Sequence, residues 1–156
     1  MSAAIAGGAS LVQFREKETR GEDRFAAGRV VAEVCRNRDV PFLVNDDADL
    51  ARRLGADGVH VGRGDTPLER ARSLLGPDAI VGATVYGAEG EERAAADAGA
   101  DYLAAGPFFP SRTKPEEPVM PLHVLDEILR RSPLPVFAIG GITAERAGQL
   151  AAHGVA

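Results

Sequence analysis

The sequence predicts an α/β fold, a parallel sheet covered by helices in a (β/α) barrel arrangement. Three observations predict it. Short apolar runs alternate with stretches of helical spacing, and the runs (FLVN, GVHV, IVGATV, PVFAI) are nearly continuous in apolar character. Strands buried on both faces read that way. Second, Gly-Ala-Asp recurs before two of the runs, at 55–57 and 99–101, and Gly154-Val155-Ala156 looks like a third copy, cut short. A glycine there ends a helix in the left-handed conformation and turns the chain into a strand. Third, polar residues collect just past the strands, the face on which barrel enzymes carry their sites. An open doubly wound sheet is the competing arrangement. No G-x-G-x-x-G follows the first strand, which counts against its dinucleotide-binding form.

The elements follow in order. Met1–Ser10 reads as the tail of a helix closed by Gly7 and Gly8, and Leu11–Arg15 as a strand. Glu22–Arg38 has helical spacing, with Phe25, Val30, Val31, Val34 and Cys35 as its apolar stripe. Phe42–Asn45 is a strand, Asp47–Leu54 a short helix stopped by Gly55, and Gly58–Gly62 the third strand. Thr66-Pro67-Leu68-Glu69 reads as a capping box with proline in the first turn, opening a helix that ends near Gly76. Strands at Ile80–Val85, Tyr102–Ala105 and Pro135–Ile139 then alternate with helices at Ala88–Ala98, Leu122–Arg131 and Thr143–Ala152. A proline-rich polar loop, GPFFPSRTKPEEP, follows the fifth strand.

Length and composition bound the function. A chain of 156 residues can bury a core and is expected to form a single domain, residues 1–156. A net charge of −5 argues against general nucleic-acid affinity but leaves room for a local cationic pocket. Cys35 cannot form an intramolecular disulfide and is expected as a small core residue, in keeping with a cytoplasmic location. The opening MSAAIAGGAS lacks a basic segment and a long apolar core, so no signal peptide is read, and no run has the apolar length of a membrane span.

The segment Val44–Asp65 holds the sharpest chemistry. Asp46 and Asp65 fall just beyond two strands, and on parallel neighbours their carboxylates would meet at one rim, where they suit a divalent metal. Read alone, the stretch favours loop acids or helix caps over metal ligands. Gln13, Arg15 and Lys17 alternate at the end of the first strand and can share a face, with Arg15 and Lys17 as an anion site. Ser111-Arg112-Thr113-Lys114 has the composition of a phosphate loop, and Gly140-Gly141 allows close approach of backbone N–H groups to a phosphate. Two carboxylates, three cations and a double glycine on one rim suggest a metal-bound polyphosphate. His60, inside the third strand, is expected as a buried structural histidine, with His123 and His153 incidental on helices.

VQFREK, VNDDADLA, GADGVHVGRGD, GADYLAAGPFFPSRTKP and AIGGI, in this order along nearly the whole chain, together resemble the thiamine-phosphate synthase (thiamine phosphate pyrophosphorylase) family. The resemblance implies a (β/α)8 TIM-type barrel. It implies an alkyl-group transferase that joins hydroxymethylpyrimidine diphosphate to a thiazole phosphate and releases pyrophosphate. The implied mechanism is dissociative: pyrophosphate leaves first, and the thiazole nitrogen captures the pyrimidine-methyl cation. Asp46 and Asp65 carry over as Mg2+ ligands. Gln13, Arg15 and Lys17, within the segment Gln13-Phe14-Arg15-Glu16-Lys17, carry over as contacts to the pyrimidine diphosphate, with Asn45 and Lys114 beside them. Arg15, Lys17 and Lys114 are the cations that would serve catalysis. Ser111 and Thr113, flanking Arg112, stand where the family contacts the thiazole phosphate, and Gly140 or Gly141 binds the same phosphate. The implied partners are small-molecule substrates, with neither nucleic acid nor membrane.

The sequence departs from the family pattern in three places. Arg63 stands where the family has Gln. Gly82-Ala83-Thr84 occupies a serine-bearing stretch, and Ala83 has no hydroxyl. Against a family barrel, strand 1, most of strand 8 and the last helix are not present, which predicts an incomplete barrel with an open seam prone to self-association. Two alternatives stand beside the synthase: a metal-independent thiazole tautomerase-like barrel, and a catalytically impaired phosphate-binding barrel fragment.

Overall fold

The computed structural model describes residues 1–111 and 117–156. By its internal contacts the chain forms two compact units, Met1–Val81 and Gly82–Ala156. Both are α/β with parallel strands.

The first unit opens with helix α1 (Ser2–Ala6) and strand β1 (Val12–Phe14), followed by helix α2 (Gly21–Arg36). Strand β2 (Phe42–Asn45), helix α3 (Ala48–Leu54), strand β3 (Gly58–Val61) and helix α4 (Leu68–Leu75) complete it. The strands pair in parallel with Gln13 opposite Leu43, Val44 opposite Val59, and Asn45 opposite His60. Side chains alternate across a strand. Phe14, Phe42, Val44, Val59 and Val61 therefore turn to one face, where they pack with Ala48, Ala51 and Leu54 of α3 and with Ala32 and Cys35 of α2. Gln13, Leu43, Asn45 and His60 take the other face. Cys35 and His60 are buried, as their surroundings in the sequence predict.

Phe25, Val31 and Cys35 of the expected α2 stripe pack into the core, and Val30 alone of the stripe turns out. Val30 is 64% exposed, and the buried positions are Gly28, Ala32 and Cys35. Gly28 supplies the reason. A Cβ there would lie 2.6 Å from Leu54 Cδ1, so the helix approaches α3 through its smallest residue. That contact sets the rotation of α2, and Val30, two residues on, is carried to solvent. Asp47 caps α3 by accepting from the Leu50 N–H (2.9 Å), and Gly55 closes it in the left-handed conformation (φ +60°).

The second unit contains strand β4 (Ile80–Val85), whose first two residues lie in the first unit, and helix α5 (Glu91–Asp97). Strand β5 (Tyr102–Ala105), helix α6 (Leu122–Arg131), strand β6 (Val136–Ala138) and helix α7 (Ala144–Ala151) follow. Ala83 lies opposite Leu103, and Leu103 opposite Val136, all three buried. Leu125 and Ile128 of α6 are fully buried, each worth about 2 kcal/mol in removed apolar surface. Tyr102 and Phe137 meet edge to face at 5.4 Å, with Tyr102 lying against the space that a side chain on Gly82 would fill. Glu92, almost fully buried, pairs with Arg131 at 2.9 Å, and Arg131 also donates to the Gly87 carbonyl.

The Gly-Ala-Asp repeat behaves as its sequence predicts. Gly55, Gly99 and Gly154 all have positive φ. The Asp57 N–H donates to the Phe42 carbonyl, and the Ala156 N–H donates to that of Val136, both at 2.9 Å. The third copy thus makes the same strand-opening bond as the first. His153 is not incidental: its Nδ1 lies 2.6 Å from Asp126 Oδ1, tying the end of α7 to α6.

Candidate active site

Asp46 and Asp65 come together. The parallel register that sets Asn45 opposite His60 carries Asp46 one residue beyond β2, and the Asp46 N–H donates to the His60 carbonyl (2.7 Å). Asp46 then adopts φ +70°, a left-handed conformation that Asp and Asn tolerate better than other residues with a Cβ. Asp65 is held by a local turn: its carboxylate accepts from the Gly62 N–H (2.9 Å), and its own N–H donates to the Gly62 carbonyl (3.2 Å). The two carboxyl groups are hydrogen-bonded to each other. Burial pushes the Asp65 carboxyl above its ordinary value, the bond to Asp46 pushes it the same way, and the Gly62 N–H opposes both.

Lys17 completes this cluster, with its Nζ 2.7 Å from Asp46 Oδ2. It is half exposed, so the ion pair is worth well under 1 kcal/mol and gives way readily to a ligand. Lys17, Arg24, Asp46, Asp47 and Thr66 border a cleft of about 530 Å³. Strand β1 stops at Phe14, so Arg15 and Lys17 lie beyond it in irregular chain. Gln13 and Arg15 are exposed. Phe14 packs into the helix-facing core, its ring 6.3 Å from that of Phe42. Glu16 folds onto its own turn, accepting from the N–H groups of Glu18 and Thr19 (2.6 and 3.1 Å), which lowers its pKa. Asn45 is buried beside Asp46.

Two residues of this cluster carry no signal in the sequence for their part in it. Thr66 reads as a helix cap, but α4 begins at Leu68 with Pro67 as its N-cap, and the Thr66 hydroxyl instead donates to the Asp46 carbonyl (3.2 Å). That carbonyl lies twenty residues earlier in the chain. Arg24 donates to Asp47 Oδ2 (2.9 Å) and, at longer range, to the Asn45 carbonyl (3.5 Å), so α2 braces the turn that holds Asp46. A charged residue on a helix gives no local sign of such distant partners.

In the second unit, the departure at Ala83 resolves. Ala83 is buried opposite Leu103 on the helix-facing side, and alternation turns Thr84 to the other face. The hydroxyl at Thr84 therefore stands on the face opposite Ala83. Gly140 and Gly141 have φ of +88° and +63°. A Cβ on Gly140 would lie 2.3 Å from Pro107 Cβ, and one on Gly141 2.3 Å from the Pro110 carbonyl oxygen. The turn is thus pressed onto the loop after β5, and only glycine fits. Ser111 belongs to that loop. Arg112, Thr113 and Lys114 lie outside the described residues.

Among the described residues no group of three or more His, Cys, Asp or Glu side chains is placed to hold a metal, so the carboxylates that meet number two. No helix among them is long and apolar enough to cross a membrane.

Comparison with known proteins gives the same reading. A family model described as thiamine monophosphate synthase matches residues 1–156. A thiamine-phosphate synthase of Thiobacillus denitrificans is 47% identical over 150 residues, covering 96% of this chain and 71% of that protein. One of Marinobacter nauticus is 46% identical over 150 residues, covering 96% and 67%. The solved structure of a thiamine phosphate pyrophosphorylase from Pyrococcus furiosus superposes with a TM-score of 0.85 at 37% identity, covering 97% of this chain and 72% of that one. With matches of that extent to the sequence and to the fold, this chain belongs to the thiamine monophosphate synthase family.

Proposed function

We propose that this chain is a thiamine-phosphate synthase, coupling hydroxymethylpyrimidine diphosphate to thiazole phosphate with release of pyrophosphate. The observation that carries the reading is that Asp46, hydrogen-bonded to Asp65, meets Lys17 at one edge of a cleft. Mg2+ fits there. Two carboxyls within hydrogen-bonding distance of each other can hold a cation between them, and a site with two protein carboxylates leaves the remaining octahedral positions to phosphate oxygens and water. The ion would neutralise the negative charge that builds on the departing pyrophosphate.

The chain's own groups do the rest. Lys17 leaves Asp46 for the diphosphate, and Arg15, exposed two residues earlier, adds a second cation. Lys114 is assigned the same task. As the carbon–oxygen bond breaks, its electron pair stays on pyrophosphate. The thiazole nitrogen then donates its pair to the pyrimidine-methyl carbon. Gln13 and Asn45, on the sheet face away from α2 and α3, suit the pyrimidine and its diphosphate, and Phe14 and Glu16 support this segment. Ser111, Arg112, Thr113 and the turn at Gly140-Gly141 are assigned to the thiazole phosphate. A cytoplasmic, single-domain barrel enzyme is the setting that fits these small, highly charged substrates.

The test is product formation from the two substrates with magnesium, alongside calorimetric binding of the pyrimidine diphosphate. Asp46→Ala should abolish turnover and weaken magnesium-dependent binding. A soluble protein that makes no thiamine phosphate, and binds the diphosphate equally with and without Asp46, would refute the proposal. The retained Asp46–Asp65 pair speaks against the metal-independent tautomerase, for which it would have no use.

A further inference from the structure

The turn after β6 carries a device that the glycines alone do not explain. Its carbonyls are all spoken for by the protein. The Ile139 and Gly140 carbonyls accept from the N–H groups of Phe108 and Phe109 (3.2 and 3.3 Å). The Gly141 carbonyl accepts from Arg146 Nη1 at 2.7 Å, the shortest of the three. The guanidinium is fixed in turn, stacked 4.7 Å over the ring of Phe109. Arg146 thus bridges α7, the glycine turn and the loop after β5.

The geometry has a consequence for the amides. In a planar trans peptide the N–H points opposite to the C=O. With the Gly140 and Gly141 carbonyls drawn toward Phe109 and Arg146, the N–H groups of Gly141 and Ile142 are directed the other way. Two successive amides so placed form an anion-binding concavity. Glycine tolerates both signs of φ, so the backbone on either side of Gly141 has a freedom to rotate that two substituted residues would not give it, and the Gly141–Ile142 peptide needs a partner to hold one orientation. A flip would replace a donor with a carbonyl and turn the concavity against an anion. Arg146 is the side chain that holds that carbonyl.

We infer that Arg146 is a positioning residue for phosphate recognition: it locks the Gly141–Ile142 peptide so that its N–H faces the phosphate monoester of the thiazole. The inference rests on the assignment of this turn to the thiazole phosphate. It gives Arg146 a specificity role, discriminating the phosphorylated thiazole from its free alcohol.

The experiment is calorimetric binding of thiazole phosphate and of the corresponding alcohol to the intact chain, to Arg146→Met and to Arg146→Lys. Arg146→Met should weaken phosphate-ester binding about tenfold and leave alcohol binding unchanged. Arg146→Lys, which keeps a donor, should recover part of the loss. Equal weakening of ester and alcohol would assign Arg146 to structure alone and overturn the inference, as would an unchanged preference in Arg146→Met. A native chain that binds the ester no better than the alcohol would instead sink the assignment of the turn, and the inference with it.

Discussion

Asp46 is asked to hold a left-handed backbone and a metal-ready carboxylate at once, and substitutions can separate the two demands. At φ +70° an ordinary L-residue crowds its Cβ against the following carbonyl, at a cost of about 1–2 kcal/mol, which Asn and Asp largely avoid. Asp46→Asn keeps that tolerance and the shape while removing the charge. Asp46→Ala removes both. Each substitution loses the Lys17 pair, which is worth a few tenths of a kcal/mol, given that Lys17 is 51% exposed. The expected order of stability is therefore Asn above Ala by about 1 kcal/mol, read as a shift in urea midpoint at constant slope. Magnesium binding, by contrast, should fall to the same low level in both. If the two variants unfold at the same midpoint, the backbone of Asp46 is not under the strain inferred for it. If Asn retains magnesium affinity, the carboxylate is not a ligand.

Further outcomes follow from the same contacts. The Asp65 carboxyl is raised above its ordinary value of 3.8, so the folded chain holds a proton that the unfolded chain has already lost. Stability contributed by this group is thus lost as pH rises from 3.8 through the raised value, a slope that Asp65→Asn should remove in denaturation at a series of pH values. Magnesium must displace the same proton, so its affinity should drop as pH falls through that range, with proton release measurable by calorimetry in buffers of different ionisation heat. Gly58→Ala would place a Cβ 1.8 Å from the Ile80 carbonyl oxygen and should cost about 3 kcal/mol or prevent folding. Gly148→Ala, with nothing within 4 Å in the middle of α7, should raise the urea midpoint, by about 0.5–1 kcal/mol. Glu92→Ala would strand Arg131, which is only about a quarter exposed, and should cost about 3 kcal/mol, whereas the double variant Glu92→Leu/Arg131→Met should cost clearly less.

The strands and helices were legible because each reports itself locally. The apolar runs at Phe42–Asn45 and Gly58–Val61 became strands with every residue buried, and the glycines at 55, 99 and 154 turned left-handed where the repeat predicts. Errors arose where a residue had two possible partners and the distant one won. Thr66 reaches the Asp46 carbonyl, Val30 is turned out of the core by the contact at Gly28, and His153 meets Asp126 on another helix. Thr84, one residue on from Ala83, turns to the other face, since a one-residue step moves a side chain across the sheet, and that register is not written in the local sequence.

The sequence by itself determined the βα alternation, the family and the two carboxylates, because periodicity, turn chemistry and motif order are written along the chain. Only the tertiary structure decided that the Asp46 and Asp65 carboxyls meet, that Arg24 and Thr66 brace the turn at Asp46, and that Arg146 reaches the Gly141 carbonyl. Each of those depends on groups brought within about 3 Å by strand register and helix rotation, and neither quantity is fixed until the elements pack.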